Sequence, residues 1–262
     1  MIRLPLLVAV TLASLGAMAG ARQAPEPPGY LKPGAFDVLA ILPPAPKPTD
    51  PRGLADRKIF KATRILQGSP RWAMATSDVK LAPADLFRDF SCAMGITLTP
   101  ETALRTATLI RRAAFDTARQ TNAAKKFYKR QRPFLIDRGP ICQPAAQVAD
   151  SYDYPSGHTT AGWTMASLLA EIAPDRATAL LARGRAYGES RVVCGVHNAS
   201  AVEAGRLSAA STLTAMQGEP AFTADLAAAR QEIAALRRSG GAARPDPALC
   251  TREAALVAQP PY

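Results

Sequence analysis

His158 and His197 are the only two histidines in the chain of 262 residues. Each sits in a short polar motif suited to an anion. Pro155-Ser156-Gly157-His158-Thr159 precedes an apolar, helix-like stretch. A turn that feeds a helix N-terminus offers free backbone N–H groups and a favourable dipole. Gly157 allows close approach of the backbone, and Ser156 adds a hydroxyl donor. Ser190-Arg191 leads through Val192-Val193-Cys194-Gly195-Val196 to His197. Upstream, Lys125 and Arg132-Pro133 are seven residues apart. Read as one helix, that spacing puts both side chains on one face, about 10 Å apart along the axis. Arg brings a planar fork and Lys a point charge, so the pair can converge on a dianion. Arg191 is a third cation. Three cations around a phosphoryl group would stabilise its oxygens in the transition state.

This constellation implies a two-step transfer. Neutral His197 attacks phosphorus and becomes a phosphohistidine. Protonated His158 donates to the leaving alcohol and then, as a base, activates water. Lys125, Arg132, Ser156, Gly157 and Arg191 hold the phosphoryl oxygens. No cofactor is called for. The four cysteines form no CxxC pair, and no metal-ligand cluster or phosphate-cradling glycine loop is apparent.

The motifs resemble the signature K-x6-RP, PSGH and SR-x5-H-x3-D of the type 2 phosphatidic acid phosphatase superfamily, which includes the vanadium haloperoxidases. More closely, the chain resembles the class A bacterial non-specific acid phosphatases. Ala124-Lys125 through Tyr128, Arg130 and Arg132-Pro133-Phe134 carries that likeness, as do Ser190 to His197 and Ala204-Gly205-Arg206. So do Arg71-Trp72, Ala75 and Asp78, and the likeness spans roughly residues 55–240. It implies an all-α fold, periplasmic export and metal-free hydrolysis of phosphomonoesters, with phosphate or vanadate as inhibitors. The signature ends in Asp four residues after the second histidine, where this chain has Ala201. In the family that carboxylate orients the histidine, and Ala201 cannot. Ser200 or a backbone carbonyl could take the ring proton instead, whereas Glu203 on a regular helix points away. Two readings follow: a weakened phosphatase, or a periplasmic oxyanion-binding relative that has lost turnover. A haloperoxidase would hold vanadate in the same pocket, but such relatives tend to be much larger.

The rest of the chain must position these motifs. Arg3, the apolar stretch Leu4 to Leu15, and small residues at Ala17, Ala19 and Ala21 read as an export signal covering 1–21. The apolar run is shorter than the ~20 residues of a spanning helix. No later stretch reads as a membrane span. Residues 22–52 carry nine prolines and read as an extended arm or a loosely wrapped segment. The phosphatase domain is placed at 53–262. Short helices are expected at Asp56 to Leu66 and Ala82 to Met94, with Gly68-Ser69-Pro70 as a breaker. A long helix should start at Thr99-Pro100 and run to about Arg130, where Pro133 stops it. Further helices are expected at 159–172, 175–189, 199–217 and 222–238, and alternating strand patterns are absent. The fold is read as a single-domain, all-α bundle.

The net charge is +11, and removing 1–21 deletes only Arg3, leaving +10. The charges are scattered among few aromatics, which argues against nucleic acid and for a small anionic substrate. In an oxidising compartment Cys92, Cys142, Cys194 and Cys250 can form up to two disulfides, with the pairing left open. The sequence is compatible with a homo-oligomer but does not specify one.

Overall fold

The computed structural model describes residues 29–239 and 243–262. The expected export signal lies outside them. Among the described residues there are nine α-helices, joined by short 3-10 turns, and no strand. They are α1 Pro51–Thr63, α2 Pro70–Ser77, α3 Pro83–Met94, α4 Leu104–Tyr128 and α5 Gly157–Ile172, followed by α6 Ala177–Val193, α7 Ala199–Met216, α8 Pro220–Arg238 and α9 Pro247–Val257. No described helix is long and apolar enough to cross a membrane.

Helix α5 is the axis of the bundle. It is apolar nearly all round, and Met165, Leu168, Leu169 and Ile172 are buried against α4, α6, α7 and α8. A helix of that character must be surrounded by others. Its N-terminus, rather than its middle, is therefore where chemistry can meet solvent. Beneath that end, Thr121 on α4, Thr160 on α5 and Ser208 on α7 share hydroxyl hydrogen bonds of 3.0 and 3.1 Å. Gly205 brings α7 in close: a Cβ there would lie 2.6 Å from the Ser156 carbonyl oxygen.

Several expectations change. The Gly68-Ser69-Pro70 break opens a helix, because Ser69 caps α2 by accepting from the Trp72 N–H and Pro70 suits its first turn. Helix α4 starts at Leu104, not Thr99. Its cap is supplied from α8, where the Glu232 carboxylate accepts the Arg105 and Thr106 N–H groups at 2.9 Å each. From residue 29 on, the proline-rich segment is packed against the bundle rather than loosely wrapped. Tyr30 and Leu31 are buried, and their N–H groups reach Asp116 on α4 at 2.5 and 3.0 Å. Helix α1 begins at Pro51, so a boundary at 52/53 cuts it. Helix α9 lies beyond the helices read from the sequence, and Cys92–Cys250 ties it to α3. The second disulfide is Cys142–Cys194.

Candidate active site

Lys125 lies on the last turn of α4, but Arg132 does not continue that helix. Chain direction changes at Lys129, which adopts a left-handed conformation (φ 48°), and Arg132 is extended (φ −73°, ψ 150°) just before Pro133. Proline disfavours a helical residue ahead of it, which explains the extended Arg132. The one-face, two-turn reading of Lys125 and Arg132 is therefore wrong in geometry. Their convergence comes from the loop: each lowers the proton affinity of His197, and Arg132 does the same to Lys125.

Ser156 is the N-cap of α5, accepting from the Thr159 N–H at 3.3 Å and the Thr159 hydroxyl at 2.9 Å. With both contacts received, its own proton is left to donate outward. The first intrahelical bond runs from the Thr160 N–H to the Ser156 carbonyl (3.0 Å). The amides of Gly157 and His158 thus lie in the anion-attracting first turn.

Arg191 closes α6 and is fully buried. It donates to the Gln143 side-chain oxygen at 2.5 Å, while its Nε and Nη1 have no hydrogen-bond partner among the described residues. Burial pushes its pKa down to about 10, with nearby Arg132 adding to the effect. The C-terminus of α6 is held by Arg64, which donates to the carbonyls of Val192 (2.7 Å), Val193 (2.8 Å) and Pro140 (2.5 Å). The chain then turns at Gly195 (φ 79°), where a Cβ would meet Arg64 Nη1 at 2.3 Å. Cys142–Cys194 bolts this turn to the segment carrying Gln143. Ser190, by contrast, faces inward: its hydroxyl donates to Asp78 at 2.6 Å.

His197 follows the turn and is buried. An Arg132 N–H points at its Nε2 (3.0 Å), and Asp153 Oδ1 is 2.9 Å from its Nδ1. Guanidinium can only donate, so Nε2 carries the lone pair and Nδ1 the proton. His158 instead has Nε2 2.9 Å from the Val79 carbonyl, which can only accept, leaving Nδ1 to take up or give a proton.

The cations leave their mark on every titrating group. Both histidines are held well below the usual histidine range, first by burial and then by Arg191 at His158 and by Arg132 and Lys125 at His197. Lys125 drops to about 7, through burial and then Arg132. Its ammonium donates to the Tyr152 carbonyl. These five side chains form one electropositive cluster at the N-terminus of α5. Among the described residues no group of three or more His, Cys, Asp or Glu could hold a metal ion.

Sequence reasoning missed the partners of this cluster. Asp153 stands two residues ahead of the Pro155-Ser156-Gly157-His158 motif with no spacing that ties it to His197, and Gln143 and the Val79 carbonyl carry no signal. Ser200 does not serve His197, since its N–H and hydroxyl both go to Asp56 (2.9 and 2.5 Å). Glu203 is exposed and pairs with Arg52 at 2.6 Å. The expectation that Ala201 leaves His197 without a carboxylate does not hold: Asp153 provides one.

The PAP2 superfamily profile matches residues 103–218. An acid phosphatase of Zymomonas mobilis is 39% identical over 219 residues, covering 83% of this chain and 82% of that protein. A non-specific acid phosphatase of Salmonella typhimurium is 35% identical over 195 residues, covering 73% and 78%. One of Providencia stuartii is 34% identical over 213 residues, covering 80% and 86%. With motifs, all-α bundle and sequence likeness in agreement, the chain belongs to the PAP2 superfamily, among its bacterial non-specific acid phosphatases.

Proposed function

We propose that this protein hydrolyses phosphomonoesters at acidic pH, without a metal, through a phosphohistidine on His197. The observation that carries the reading is Arg191. A fully buried guanidinium that has, among the described residues, two unpartnered nitrogens and no carboxylate against it is costly to desolvate. A phosphoryl dianion would accept those N–H groups and neutralise the charge. Arg191, Arg132 and Lys125 all lower the proton affinity of His158, and Lys125 lies against Gly157, which supports assigning Lys125, Arg132, the Ser156 hydroxyl and the Gly157 amide to the same anion.

In the first step the Nε2 lone pair of His197 attacks phosphorus in line, and the bond from phosphorus to the ester oxygen breaks. His158 supplies a proton to the leaving oxygen. The Arg132 N–H that points at Nε2 in the free site can turn to a phosphoryl oxygen. In the second step His158 takes a proton from water, the water oxygen attacks phosphorus, and the N–P bond breaks. The reading of an oxyanion binder without turnover rests on Ala201, and the Asp153 carboxylate 2.9 Å from His197 Nδ1 favours turnover over it. Export is part of the proposal: the N-terminal pattern and two disulfides suit an oxidising compartment.

Hydrolysis of a chromogenic phosphomonoester in excess chelator tests the reading, alongside acid-labile trapping of phosphate on the protein. Full activity with label on His197 is expected. Activity lost with chelator and restored by zinc or magnesium would overturn the metal-free mechanism. Vanadate should inhibit competitively, and Arg132→Ala and Arg191→Ala should each weaken it. Unchanged vanadate affinity in both variants would place the pocket elsewhere.

A further inference from the structure

We propose that Asp153 is the positioning residue of the nucleophile, doing from the loop before α5 what position 201 does not. The proposal rests on the reading that His197 accepts the phosphoryl group. Asp153 is fully buried, and its Oδ1 receives both His197 Nδ1 (2.9 Å) and the Asn198 N–H (3.1 Å). Its Oδ2 receives the Asn198 side-chain amide at 2.9 Å. A buried carboxylate needs a compensating charge. Arg130 stands 3.4 Å from Oδ2 and donates at 2.7 Å to a second buried carboxylate, Asp56. Asp56 is itself fixed by Ser200 at the start of α7. The order Asp56, Arg130, Asp153, His197 thus joins α1, the loop after α4, the loop before α5 and the turn before α7.

Position 201 is closed to this role by its surroundings. Ala201 is buried in an apolar cluster with Val38, Leu42, Ala124 and Tyr154, and its carbonyl accepts the Ser156 N–H at 2.9 Å. The ring of His197 has one N–H to give, and Asp153 already receives it. The side chain at 201 is therefore free to be the small apolar residue that lets Tyr154 pack.

Asp153→Asn is the direct test, measured as the rate of phosphohistidine formation, as kcat, and as vanadate affinity. An amide can offer either its oxygen or its NH2, so the histidine tautomer is no longer fixed. By analogy with a histidine-orienting carboxylate in serine proteases, kcat should fall about 10²- to 10⁴-fold. Vanadate affinity, read well below pH 7 so that Lys125 keeps its proton without Asp153, should stay within about threefold, since the guanidinium groups are untouched. Wild-type rates in this variant, with phosphohistidine trapped on the unaltered chain, would overturn the role of Asp153. Absence of phosphohistidine on the unaltered chain would instead overturn the underlying reading.

Two further measurements do not depend on that variant folding. In the unaltered chain, 15N spectra should show His197 protonated at Nδ1 and bare at Nε2 at neutral pH, and the opposite tautomer would overturn the proposal. Ala201→Asp should bring no gain in kcat, and a rise of about tenfold or more would show that the carboxylate belongs at 201.

Discussion

His197 is backed by a carboxylate, His158 by a backbone carbonyl. The two rings sense the same cations, yet their walls differ in what they allow. A carboxylate receiving Nδ1–H fixes one tautomer and favours a positive ring, as a nucleophile that becomes phosphorylated requires. A carbonyl fixes orientation but favours charge less, which suits a ring that must give a proton and take one back. One layer further out the walls are alike. Behind His197, Arg130 bridges Asp153 and Asp56. Behind His158, Arg183 grips Asp78 with a fork of 2.6 and 3.2 Å, and Asp78 adjoins Val79. Each histidine is thus held by a loop that a buried ion pair holds in turn.

The largest effect should come from the carboxylate-backed wall. His197→Ala should lower turnover by about 10⁴-fold or more, as loss of a covalent nucleophile does elsewhere. Vanadate should still bind, because Arg191 and Lys125 remain. Substantial residual turnover with no covalent intermediate would mean that the two walls do not divide the work as described.

His158→Ala should cost less and should depend on the substrate. General acid–base catalysis contributes roughly 10²- to 10⁴-fold. The full loss is expected for alkyl phosphates, whose leaving oxygen needs a proton. A nitrophenyl phosphate leaves readily without one, so its phosphorylation step should suffer far less. Equal losses in the phosphorylation rate for both substrates would assign His158 to binding rather than to proton transfer.

Much of this division was legible in the residues themselves. Phosphoryl chemistry demands particular side chains, and Lys125, Arg132, Ser156, His158, Arg191 and His197 announce themselves by type. Local marks served at Ser156, the N-cap of α5, but misled elsewhere: Ser69-Pro70, read as a breaker, opens α2, and Thr99-Pro100 opens no helix. The start of α4 was not legible, because its cap is Glu232, more than a hundred residues away. Asp153 escaped for the same reason. Its pairing with His197 depends on the turn at Gly195 and on the loop before α5, and no spacing rule connects them. The helical reading of Lys125 and Arg132 had the wrong geometry, since a left-handed Lys129, not two helical turns, brings the two cations near each other.

The carbonyl-backed wall can be loosened without touching either ring. Asp78→Asn leaves Arg183 buried without its carboxylate fork, a loss typically worth about 3–5 kcal/mol. Tm should fall by about 10 °C in a chain of this size. In the surviving folded protein, kcat for alkyl phosphates should fall more than kcat for nitrophenyl phosphate, because Val79 no longer holds His158 firmly. A variant that loses stability while keeping the ratio of the two rates would show that Asp78 supports the fold and not the acid.

The smallest effect concerns protons that move when the anion binds. In the free site His158 lies well below the usual histidine range, and Lys125 lies near 7. The causes are burial and mutual repulsion among Lys125, Arg132 and Arg191, opposed by Asp153 at Lys125. At neutral pH the free pocket therefore holds fewer protons than its residue types would in water. Stability follows the same sign, because the unfolded chain binds protons on these groups that the fold resists. Their contribution to stability is present above about pH 6.5 for the histidines and falls as the pH drops below it. For Lys125 it grows as the pH rises from 7 towards 10.5. A phosphoryl dianion reverses the repulsion and raises all of these pKa values together. Binding of the dianion near pH 7 should therefore take up a fraction of a proton on the protein, set against the proton the free ligand sheds to become the dianion, and ligand should protect the fold most on the acid side of neutral. Calorimetric titrations in buffers of different ionisation enthalpy measure the uptake directly. A net release equal to the ligand's own ionisation, with none taken up by the protein, would mean that His158 is already charged in the free site and that the carbonyl-backed wall does not depend on substrate to arm its acid.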